Sequence, residues 1–139
     1  MSLPFPPEQV LLTGIAIATV LIYLPYFVVA AARVSAQVDL GNPRVALDKL
    51  PPYAQRANAA HQNAFEVFIL FAAAALMVYT TGKASNYTSI VTIVFLVSRL
   101  LHSIFYIANL PPLRGLAWLV SIGCVASLMG TSLTLFYKA

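Results

Sequence analysis

Four long apolar runs, parted by short polar stretches, set the rhythm of this chain. Residues 10–34 are apolar at almost every position, enough to carry a helix across about 30 Å of hydrocarbon. Pro25 falls in mid-span, where a membrane helix tolerates a kink, and Arg33 closes the run at one interface. Residues 35–53 form the longest polar stretch and end on Pro51 and Pro52, which reads as a loop bounded by turn residues. Proline fits the first turn of a helix, so the second helix is expected over about 53–81. The polar turn 81–87 precedes a third helix over 88–110, and Pro111 and Pro112 separate it from a fourth over 113–137. The expected architecture is all-α, an integral membrane four-helix bundle forming a single domain over residues 1–139.

Four spans place both termini on one side. Arg33, Arg44, Lys49, Arg56 and Arg114 lie toward the first and third loops, against Lys83 and Lys138 toward the other side. The positive-inside rule then puts the first and third loops in the cytoplasm and both termini opposite.

Composition supports the membrane reading. The chain is 60% hydrophobic and 9% charged, where a soluble domain carries about a quarter charged residues. Its net charge of +4 is spread over loops and helix ends, with no basic cluster on a polar surface, so nucleic acid is not an expected partner. The single cysteine, Cys124, lies in an apolar helix and reads as a packing residue. His61 and His102 are the only histidines and fit no metal-ligand spacing, so no metal site is expected. Motifs of serine hydrolysis and nucleotide binding are missing as well.

Candidate chemistry lies in the polar residues inside the spans. The second helix carries Asn58, His61, Gln62, Asn63 and Glu66 after Arg56. Each is costly in hydrocarbon unless it faces protein, a partner charge or water. At 100° per residue, with Arg56 at zero, Asn63 falls near about −20°, Glu66 near −80° and Gln62 near −120°. Asn58 and His61 project to the other side, toward a different neighbour. On the third helix Arg99, His102 and Tyr106 form a narrow stripe within about 60°. Glu66 lies roughly 15 Å beyond Arg56, and Arg99 roughly 16 Å before Leu110. The two charges therefore share a depth, and a Glu66–Arg99 contact is expected, within a subunit or between subunits. A register-fixing ion pair would explain that contact alone, and snorkelling would explain Arg33, Arg56 and Arg114 taken singly. Together these groups make a polar funnel with an arginine-rich mouth, suited to a small anionic ligand because arginine forks grip carboxylates.

These residues also resemble a known family. RANAAHQNAFEVFILF (residues 56–71) resembles the second-helix signature of the MAPEG proteins, the membrane-associated proteins in eicosanoid and glutathione metabolism. In that signature an upstream arginine precedes an asparagine and, three residues later, a glutamate; Arg56, Asn63 and Glu66 stand at those places. RLLHSIFY (residues 99–106) is similar to the family's third-helix segment, and Leu113–Arg114 to the arginine that opens its fourth helix.

The resemblance implies a homotrimer of four-helix subunits with glutathione bound as co-substrate between them, near the cytoplasmic side. By position, Arg33, Arg56, Asn63, Glu66, Arg99, His102 and Tyr106 would bind it, with Arg114 beside the sulfur as the catalytic cation. The implied activity is that of a microsomal glutathione transferase or peroxidase, acting on a lipophilic small molecule from the bilayer. The alternative on the same scaffold is a noncatalytic lipid- or ligand-binding protein. Ala59 stands where family enzymes often carry a second arginine, and Val67 where some have a tyrosine.

Overall fold

In the computed structural model, residues 4–37, 41 and 46–134 are described; Arg44, Lys138 and the expected end of the fourth helix at 137 lie outside them. Four helices account for most of the chain: α1 (Pro7–Ser35), α2 (Pro52–Thr80), α3 (Asn86–Ile107) and α4 (Pro111–Leu133). One 3₁₀ turn, Leu47–Lys49, lies ahead of α2. All four helices are long and apolar enough to cross a membrane, and large apolar side chains such as Val20, Phe27 and Leu119 cover the outside.

The helix ends follow local chemistry. Pro7, Pro52 and Pro111 occupy first turns, where the missing N–H has no intrahelical partner to lose. Ser85 caps α3 through a reciprocal pair of hydrogen bonds with Thr88. The third helix ends at Ile107, short of the expected Leu110. Asn109 takes a left-handed conformation, φ 59°, and its N–H donates to the Tyr106 carbonyl while that of Leu110 donates to Phe105. This closing motif satisfies the terminal carbonyls and stops the helix; asparagine is one of the few residues that tolerate it. Only three residues separate α3 from α4, which begins at Pro111 and not at 113.

α1 packs most extensively on α2, and α3 on α4; α2 and α3 also touch each other and so form the short diagonal of the bundle. Lipid tails are as apolar as the helices, so association rests on close packing, which small residues permit. Ala54, Ala57, Ala60, Ala64, Ala74 and Ala75 line the buried face of α2. Gly14 lets α1 approach α3 so closely that an added Cβ would collide with the Thr92 methyl. The Phe71 and Phe95 rings stack at the centre of the core, 3.9 Å between centroids and 8° from parallel, and Cys124 packs in the same cluster as a free thiol.

Pro25 lies inside α1, where it removes a backbone donor and opens the turn before it. His61 of α2 reaches that turn: its Nδ1 lies 2.8 Å from the Ile22 carbonyl. A carbonyl only accepts, so Nδ1 carries the proton. Tyr23 and Tyr26 flank the imidazole at centroid distances of 6.0 and 5.4 Å. The expectation that His61 turns away from the Asn63 side, toward another helix, agrees with this placement.

Candidate functional site

The short diagonal carries a buried charge. Arg99, on α3, is 5% exposed. Its Nη2 donates to Asn63 Oδ1 of α2 at 3.0 Å, and its Nη1 donates to Ser121 Oγ of α4 at 3.4 Å. Nη2 also lies 3.4 Å from His102 Nδ1. Arginine has no acceptor, so His102 accepts there, as a neutral ring protonated on the other nitrogen. Every one of these partners is uncharged. Among the described residues, no carboxylate balances Arg99.

The stripe on α3 continues toward the three-residue turn. His102 is buried and packs edge-on against Tyr106, with 5.6 Å between centroids. Across the turn, the Arg114 guanidinium lies over the Tyr106 ring, 4.2 Å from its centroid, a cation–π contact that fixes it without a counter-ion. Arg56, in the second turn of α2, donates through Nε to the Ile107 carbonyl at 3.0 Å, at the end of α3 where orphan carbonyls and the helix dipole favour a cation. The guanidinium's terminal nitrogens make no hydrogen bond among the described residues. Arg33 stands half-buried in the last turn of α1, at the same end of the bundle.

The structure thus brings together Asn63, Arg99, His102, Tyr106 and Arg114 in one connected line, with Arg56 at its end. Glu66 does not join them within the chain. The expected Glu66–Arg99 contact is not made inside a subunit: Asn63 takes the place facing Arg99, and Glu66 is exposed. Helical rotation explains the exchange. The buried face of α2 runs through Ala57, Ala60, Val67 and Phe71, and Asn63 borders it while Glu66 stands about 60° further round, toward the outside. Sequence reasoning missed Ser121. A signal was present: Ser121 follows Arg114 by seven residues, two helical turns, and therefore shares its face.

A polar, arginine-bearing interior in a bundle of four membrane-capable helices defines an integral, multi-pass membrane protein with a polar cluster buried between its helices. The chain belongs to the MAPEG family, whose model matches residues 10–134, nearly the whole length. No curated protein matches it at a significant level.

Proposed function

We propose that the chain is a membrane glutathione-dependent transferase or peroxidase that acts on lipophilic electrophiles. The observation that carries this reading is Arg99, a guanidinium buried in the bundle with only neutral partners among the described residues. An unbalanced charge is expensive in a low-dielectric interior, and a bound carboxylate supplies the missing counter-charge. Glutathione has two carboxylates, an amine and a thiol, and the residues present suit it: Arg99 and Arg56 for the carboxylates, Asn63 for its amides, and exposed Glu66 for the amine. His102 and Tyr106 complete the wall, and Arg33 belongs to the same mouth.

Arg114 is the proposed catalytic cation. A guanidinium beside the sulfur favours thiolate over thiol, and the thiolate is the nucleophile. It bonds to the electrophilic carbon while the leaving group departs with its electron pair; in the peroxidase reaction two thiols become a disulfide as the hydroperoxide is reduced to alcohol and water. We place the ligand between the subunits of a homotrimer, where Glu66 of one copy can reach a molecule held by Arg99 of another. The first and third loops are proposed to be cytoplasmic, so glutathione enters from that side and the lipophile from the bilayer.

The test is a glutathione titration of the purified protein in detergent, followed by ultraviolet absorbance for the thiolate and turnover of a chromogenic electrophile. Binding with thiolate formation and turnover is the expected result. Absence of binding overturns the proposal. Binding without thiolate or turnover favours a noncatalytic ligand-binding protein, a reading that Ala59, in place of a second arginine, also supports.

A further inference from the structure

Seven serines and threonines are buried among the described residues. Thr88, Ser89, Thr92, Ser98, Ser121 and Ser132 each donate to a carbonyl three or four residues back in the chain, the usual resort of a hydroxyl in a helix interior. Ser103 does not. It is 7% exposed, stands one turn beyond Arg99 on α3, and makes no side-chain hydrogen bond among the described residues. Instead it lines a cavity where α1, α2 and α3 meet, together with Leu21, Ile22, Ala64, Phe95 and Arg99.

The cavity measures about 10 Å³, room for the centre of one water molecule. Arg99 has five N–H groups. One on Nη1 goes to Ser121 and the two on Nη2 go to Asn63 and His102; the Nε–H and the second Nη1–H find no acceptor among the described residues. On α1, Pro25 brings no N–H to the Leu21 carbonyl four residues before it, while the next carbonyl, that of Ile22, is taken by His61. The cavity is thus bordered by a residue with donors to spare, a residue whose carbonyl lost its helical donor, and a hydroxyl that can serve either.

We propose that this cavity is a binding site for a single water molecule, which accepts hydrogen bonds from Arg99 and Ser103 and donates one to the Leu21 carbonyl. Three bonds are the usual complement of a buried water, and ordered water is one means by which membrane helices accommodate an internal proline. Cavities that stay dry have apolar linings, and this lining is not apolar. The ligand is water and not a small anion on two counts. The volume admits nothing larger, and a carbonyl oxygen in the wall disfavours negative charge where it welcomes a water hydrogen. Through this molecule the kinked α1 is tied to the charged residue of α3. The inference stands on the cavity and not on the glutathione reading, because a neutral water leaves the charge of Arg99 unbalanced.

Two measurements test it. A crystal structure grown from a lipid mesophase, at a resolution that shows ordered water, is expected to contain one peak about 3 Å from Ser103 Oγ, an Arg99 nitrogen and the Leu21 oxygen. No peak, or anomalous scattering at that point from crystals grown in bromide, overturns the water. Reversible unfolding in mixed micelles without glutathione tests the link it makes. Ser103→Ala is expected to lower the folding equilibrium constant about tenfold, the scale of one buried hydrogen bond. Pro25→Ala restores an N–H to the Leu21 carbonyl, so in that background Ser103→Ala should cost less than about threefold. An equal cost in both backgrounds overturns the bridge, since distant residues without a shared partner act additively. So does a Ser103→Ala protein as stable as the parent.

Discussion

Replacing Arg99 with methionine keeps the length and apolar bulk of the side chain and removes its charge and donors. In the unliganded protein two effects oppose each other. Burial of a guanidinium among neutral partners costs several kcal/mol, which methionine relieves. Loss of the donors orphans Asn63 Oδ1 and His102 Nδ1, at about 1–3 kcal/mol each, whereas Ser121 keeps its own bond to the Trp118 carbonyl at 2.8 Å. The two effects largely offset, so the unliganded variant should be about as stable as the parent. Binding should change in the opposite sense. A hydrogen bond to a charged group contributes about 1.5–3 kcal/mol, so glutathione affinity should fall roughly 10- to 100-fold. Calorimetric titration, with reversible unfolding in mixed micelles with and without glutathione, measures both quantities. A variant that binds glutathione like the parent but unfolds far more easily would refute the reasoning, because it would make Arg99 a packing element.

Two other substitutions probe the frame around the site. Gly14→Ala should destabilise the bundle by about 1–3 kcal/mol, since its Cβ meets the Thr92 methyl; adding Thr92→Ser removes that methyl, keeps the hydroxyl for its bond to Thr88, and should restore most of the loss in unfolding midpoint. Tyr106→Phe retains the ring under Arg114 and should leave thiolate absorbance unchanged, whereas Tyr106→Leu removes a cation–π contact of up to about 2 kcal/mol and should reduce the thiolate signal more than glutathione affinity.

Much of this arrangement was legible in the sequence. The four spans stand out as apolar runs, and the Arg99–His102–Tyr106 stripe follows from helical spacing alone, as does the matched depth of the polar groups on α2 and α3. The rotation of α2 about its axis was not legible to within 60°, the angle that separates Asn63 from Glu66. In a soluble helix the apolar stripe settles rotation; in a spanning helix apolar residues occupy every side, and small alanines decide which face packs. Charge pairing favours Glu66 for Arg99, but close packing along the alanine face brings Asn63 there instead. The end of α3 was hidden for a different reason. Apolar residues continue to Leu110, and only the backbone conformation of Asn109 shows where the helix stops. Ser121 was marked only by its place two turns after Arg114 on the same face of α4; its bond to Arg99 becomes visible when α4 is laid against α3.

The turn at Ala108–Leu110 works as a gauge. Both of its ends are tied, to the last turn of α3 by the Asn109 and Leu110 amides and into the first turn of α4 by the Arg114 amide on the Leu110 carbonyl. It has no slack to absorb a change of length. One residue more or fewer would rotate α4 by about 100° and slide it by about 1.5 Å, carrying Arg114 off Tyr106 and Ser121 off Arg99 together. The length of this turn is thus itself a component of the site, as specific as any side chain in it.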